Sequence, residues 1–116
     1  MSALVKPLSW LLGIVLLLVG IVGFFMNPVV LFAVNPLHNI VHLASGATAV
    51  IAASMGYRAS RMYLIVFGIV YGLVTIVGFL GVQPIINLLN INPADNVLHL
   101  LIAATCLIVG FGSKNA

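Results

Sequence analysis

The chain alternates four long apolar stretches, residues 8–26, 36–55, 62–82 and 94–111, with short segments that hold most of its polar side chains. Within each stretch the apolar residues run on without the strict alternation of a barrel strand. Each is close to the roughly 20 residues that cross a hydrocarbon core of about 30 Å as a helix. The pattern predicts an all-α integral membrane protein: one domain, residues 1–116, built as a four-helix bundle of four spans. Two helix starts are explicit. Asn35-Pro36 and Asn92-Pro93 put asparagine at an N-cap, where it accepts from a free amide, and proline at the first helical position, where a missing donor costs nothing.

The polar positions inside the apolar pattern are not scattered. Asn35-Pro36-Leu37-His38-Asn39-Ile40-Val41-His42-Leu43 is nearly repeated as Asn92-Pro93-Ala94-Asp95-Asn96-Val97-Leu98-His99-Leu100, and these segments contain all three histidines and the one acidic residue. Gly13-Ile14-Val15 likewise returns as Gly68-Ile69-Val70, and Ile21-Val22-Gly23-Phe24 as Ile76-Val77-Gly78-Phe79, at an offset of 55 against 57 for the histidine segments. The second outer loop, around residues 81–93, has gained two residues. The sequence therefore reads as two parallel repeats of a two-helix hairpin, about 8–55 and 62–112, related by a pseudo-twofold axis along the membrane normal. That relation puts His42 and His99 at equal depth, roughly 10 Å from their helix starts at 1.5 Å per residue.

Each repeat carries one helical stripe of matching character. Positions 35, 38, 39, 42, 46, 49 and 53 fall within about 60° of His42 at 100° per residue and read Asn, His, Asn, His, Gly, Ala, Ala. The matching stripe at 92, 95, 96, 99, 103, 106 and 110 reads Asn, Asp, Asn, His, Ala, Cys, Gly. Small residues let membrane helices approach closely, so both stripes are expected to face the bundle interior and one another, leaving Leu, Ile and Val to lipid.

Composition narrows the class further. Hydrophobic residues make up 64% of the chain and charged residues 4%, against the quarter or so that a soluble surface carries. Lys6, Arg58, Arg61 and Lys114 fall on one side of four spans, and the loops around residues 27–35 and 81–93 contain no Lys or Arg. The positive-inside rule then predicts a multi-pass protein of the cell inner membrane with both termini cytoplasmic, and Trp10, Tyr57 and Tyr63 at the cytoplasmic boundary. The first stretch is read as an uncleaved span. Basic residues explained by topology give no nucleic-acid surface. Cys106 is alone, so no intramolecular disulfide and no CxxC site exists.

These segments also carry a resemblance. The run from Leu31 to Leu43 followed by Gly46, and the run from Asn92 to Leu100, resemble a bacterial family of small four-span membrane proteins catalogued as domain of unknown function 4383. The likeness covers nearly the whole chain. Ala103 stands where members of that family often have glycine. The resemblance implies the four-span architecture and no activity.

His38, Asn39, His42, Asp95, Asn96 and His99 are the candidate polar or ligand site, with Asn35 and Asn92 as helix N-caps. Four readings stand open on the sequence. A structural lock would hydrogen-bond the six across the twofold, and this makes the chain a structural or accessory membrane protein. A metal site would use His38 and His42 at i, i+4 with Asp95 and His99, a donor set suited to a transition metal. A b-type haem would take His42 and His99 as axial ligands. A proton or ion path would follow from ionisable groups inside the membrane. No nucleophile–base arrangement, carboxylate pair or phosphate loop can be assembled, so the chain is not read as an enzyme. Lipid is its evident partner, and assembly into a homo-oligomer or a larger membrane complex stays open.

Overall fold

The computed structural model describes residues 1–115. A 3-10 turn, Ser2–Leu4, leads into α1 (Val5–Gly23), followed by α2 (Pro36–Met55), α3 (Tyr57–Leu80), the short α4 (Gln83–Leu89) and α5 (Pro93–Gly112). The only β pairing among the described residues is an isolated bridge between Val29 and Phe32. α2 occupies the expected residues, and α5 extends the expected stretch by one residue at each end. α1 and α3 both begin and end earlier in the chain than expected, so Lys6, Arg58 and Arg61 lie inside helices. The second loop also holds a helix of its own. Pro84 sits in the first turn of α4, and Asn90 ends that helix in the left-handed conformation at φ 55°.

Three stretches, Ser2–Gly23, Tyr57–Leu80 and Pro93–Gly112, are long and apolar enough to cross a membrane. α2 has the length of α5 but not the apolarity. His38, Asn39, His42 and Ser45 sit in its N-terminal half, and all are buried while Ile40, Val41 and Ile51 are exposed. Its polar residues face inward and its apolar ones outward, the reverse of a soluble helix.

The helices pack as antiparallel pairs through glycine. On α1 and α2, Ser9 Oγ donates to Ala49 O at 2.8 Å. A Cβ built on Gly46 would lie 2.7 Å from Leu17 N and 2.9 Å from Gly13 O, so only glycine lets the two backbones approach this closely. On α3 and α5, Gly68 lies against Cys106 and Leu107, and Gly110 against Ile65. The small-residue stripes therefore face the neighbouring helix of the same hairpin. This corrects the expectation that they face each other: α2 and α5 bring no Cα pair within 8 Å. The glycines of the stripe touch the partner in the hairpin, and so do Asn39 and Asn96, whereas the rings of His38, His42 and His99 extend into the gap between α2 and α5.

The termini meet at one end. Lys114 N donates to Ser2 Oγ at 3.0 Å, Arg61 Nε to Ser113 Oγ at 3.1 Å and Tyr57 OH to Lys114 O at 2.5 Å. Tyr63 turns inward. It is buried, stacks on Phe67 at 4.4 Å between centroids and donates to Ser45 O at 2.9 Å, because a phenol turned inward needs an acceptor.

Gly46→Ala is expected to destabilise the protein in detergent by about 1–3 kcal/mol through overpacking. Gly72→Ala, whose Cβ would meet only Ala103 Cβ at 3.9 Å, is expected to be neutral or mildly stabilising. Thermal unfolding of the two variants checks this, and equal melting shifts would contradict the packing described.

Candidate functional site

Both asparagine caps form as their sequence requires. Asn35 Oδ1 accepts from His38 N at 2.8 Å, and Asn92 Oδ1 accepts from Asp95 N at 2.9 Å. Each cap also reaches across the molecule. Asn35 Nδ2 donates to Leu88 O at 2.8 Å, and Asn92 Nδ2 donates to Leu31 O at 3.0 Å. Asn90 Nδ2 adds a bond to Val34 O at 2.8 Å. Three amides thus stitch the loop after α1 to the segment between α4 and α5, and fix where α2 and α5 begin.

One turn into those helices the histidines converge. The ring centroids of His38 and His42 lie 4.3 Å apart, those of His38 and His99 5.6 Å, and those of His42 and His99 6.3 Å. All three side chains are buried, and each offers one ligand atom within 4.8 Å of the others. Ligands at about 2.0–2.1 Å from a tetrahedral ion stand roughly 3.4 Å from one another, so modest rotations close the group on a single cation.

Five of the six ring nitrogens make no hydrogen bond of good geometry. Both nitrogens of His38, both of His42 and Nδ1 of His99 are buried without a partner. Leaving a buried polar group unsatisfied costs about 1–3 kcal/mol, and native interiors rarely do so. The rings line a cavity of about 40 Å³ together with Ser45, Tyr71 and Leu89. That is room for one ion or one water, whose share of liquid volume is about 30 Å³, and far too little for a porphyrin. A larger hollow of about 590 Å³, bounded by Lys6, Trp10 and Tyr57, is an open surface groove that none of the three histidines lines.

The other expected members are placed differently. Asp95 does not join the histidines, because its Oδ2 accepts from Asn92 N at 2.9 Å and closes a capping box. An acid at the third helical position is the natural acceptor for the cap amide. His38 holds the same position on α2, but its side chain makes no such bond and lies among the other rings. Asn39 and Asn96 lie against glycines of the adjacent helix: a Cβ built on Gly23 would overlap Asn39 Oδ1, and one on Gly78 would overlap Asn96 Oδ1. No hydrogen bond joins the six expected residues across α2 and α5 among the described residues, so the polar lock does not form as expected. Tyr71 was not foreseen, although a phenol at mid-span, away from the interfacial belts where tyrosine collects, is a legible signal.

An all-α protein with three apolar, membrane-length helices and a buried group of three histidines is thus defined. The chain belongs to the family described as Domain of unknown function (DUF4383), whose model it matches over residues 6–112. No curated protein and no solved structure matches it.

Asn92→Ala removes a cap, half of the capping box and a bond between loops. It is expected to cost about 1–2 kcal/mol, and Asp95→Asn less. Denaturation in detergent checks the order, and a larger loss for Asp95→Asn would contradict it.

Proposed function

We propose that this is a small multi-pass membrane protein that holds one transition-metal ion between α2 and α5 through His38, His42 and His99. The observation that carries the reading is the convergence of three buried imidazoles, five of whose six nitrogens make no hydrogen bond of good geometry. A single cation satisfies one nitrogen of each ring at once. Imidazole suits zinc, copper, iron and nickel, and nothing in a donor set of three nitrogens favours Mg²⁺ or Ca²⁺.

The competing readings lose their support in the same geometry. The cavity is too small for haem, and His38 lies 4.3 Å from His42 and 5.6 Å from His99 by ring centroids, where a macrocycle ligated by those two would have to pass. The structural role weighed from the sequence falls to Asn35, Asn90, Asn92 and Asp95, which make the hydrogen bonds the histidines do not. Along the inner faces beyond the cluster stand Ala49, Ala53, Ala103 and Cys106, an unpromising path for protons. The reading is of a binding protein rather than an enzyme.

The same reading takes all four long helices as membrane crossings, arranged as two parallel hairpin repeats about a pseudo-twofold axis along the membrane normal. Its support is reciprocity. Asn35 bonds Leu88 O while Asn92 bonds Leu31 O, and Leu31 and Asn35 stand to Leu88 and Asn92 at the one offset of 57. Such an exchange, in which i meets j and j meets i, is the mark of a twofold contact. The glycine–asparagine contacts 23–39 and 78–96 correspond in the same way. The apolar outer face of α2 is suited to lipid. Both termini and all four basic residues lie away from the asparagine-capped ends, which favours cytoplasmic termini in an inner membrane.

Elemental analysis of the protein purified without chelators is expected to find close to one transition-metal ion per chain. His38→Ala, His42→Ala and His99→Ala are each expected to lose it, while Asp95→Asn keeps it. A metal-free wild type that also fails to take up Zn²⁺ would contradict the reading, as would metal loss in Asp95→Asn with the histidines intact.

A further inference from the structure

Three imidazoles alone leave a dication with its full charge in an apolar surrounding, and unneutralised charge there is costly. Asp95, the chain's one acidic side chain, has Oδ2 engaged at its own helix start, and its Oδ1, buried without a partner, falls outside the group of ligand atoms that the three histidines form. A second oxygen donor stands at the same cavity. Tyr71 comes from α3, lines the cavity with the histidines and has its ring centroid 5.5 Å from that of His99. The residue is 4% exposed, and its hydroxyl, with Ser45 at the same cavity, makes no hydrogen bond of good geometry.

The contrast with Tyr63 sharpens the point. Two turns earlier on the same helix and equally buried, Tyr63 spends its hydroxyl on Ser45 O, as an inward-facing phenol ordinarily must. Tyr71 is left open beside three open imidazoles, and these orphaned groups meet at one cavity of about 40 Å³.

We infer that the Tyr71 phenol oxygen is the fourth ligand of the metal centre formed by His38, His42 and His99. The assignment rests on the metal reading above. Tyr71 binds as the phenolate and releases its proton to water when the ion enters, as ligation by a protonated donor requires. The bound ion then carries a net single positive charge instead of two. α2 supplies two ligands, α5 one and α3 one, which ties the two hairpins together through the metal. Four protein ligands fill a tetrahedral shell and leave no open position for substrate. That arrangement belongs to structural or carrier sites rather than to catalytic ones.

The test uses Cu²⁺ as the probe. The full chain in detergent, loaded with one equivalent, is examined by visible absorption and resonance Raman scattering. A phenolate-to-copper charge-transfer band, with phenolate ring modes enhanced in the Raman spectrum, is expected in the wild type and in Tyr63→Phe. It is expected to vanish in Tyr71→Phe, with copper affinity reduced at least about tenfold. Copper bound without the band, or a band that survives Tyr71→Phe, overturns the Tyr71 assignment and leaves the three-histidine site standing. A wild type that takes up no copper overturns the metal reading and this assignment together. The wild-type Raman spectrum decides the matter even where Tyr71→Phe does not fold.

Discussion

An imidazole buried among apolar helices must find a partner for its nitrogens, and the polar half of this protein is organised around three that leave five of six nitrogens without one. Each such group costs about 1–3 kcal/mol. Asn39, Asp95 and Asn96 also leave an oxygen unpaired outside the cavity lining, whereas the rings are gathered: two from α2 and one from α5, with the phenol of Tyr71 beside them. Dispersed, each would need its own acceptor or a water. Gathered, they share one. On the reading proposed above, that shared partner is a single small cation.

The remainder of the fold holds that gathering in place. Glycine contacts bring α1 onto α2 and α3 onto α5, so each polar helix is fixed by a neighbour in its own hairpin while the space between α2 and α5 stays open. Cap asparagines that cross to the opposite loop then set the two helix starts against each other. The division of labour between positions 38 and 95 follows from chemistry. A carboxylate at the third helical position is drawn back to the cap amide, whereas the imidazole there makes no cap bond and faces the cavity. His38 against Asp95, the one difference among the polar positions of the two segments, leaves three histidines where exact repetition would have placed two pairs.

Much of this was legible in the sequence. Asn-Pro at the start of α2 and α5, and the inward turn of His38, Asn39, His42, Asn96 and His99, follow from capping preference and helical period alone. The period also turns Gly46 and Gly110 inward, but it cannot say which neighbour they meet, and they meet the hairpin partner. Asp95 reads equally well as a ligand or a cap acceptor until the backbone is in place. Tyr63 and Tyr71 differ only in what their hydroxyls reach, which is a fact of packing between helices. α4 is a single short turn-and-a-half started by Pro84, and its few residues carry no periodic signal.

The central claim is that three imidazoles, 38, 42 and 99, share one cation inside the helix bundle. X-ray absorption at the zinc edge, on the Zn²⁺-loaded protein in lipid nanodiscs, tests it directly. The account predicts three imidazole ligands with Zn–N near the usual distance of about 2.0–2.1 Å, seen through the outer-shell scattering of their rings. Zinc bound by fewer than three imidazoles, or held only by water and carboxylate, would contradict it.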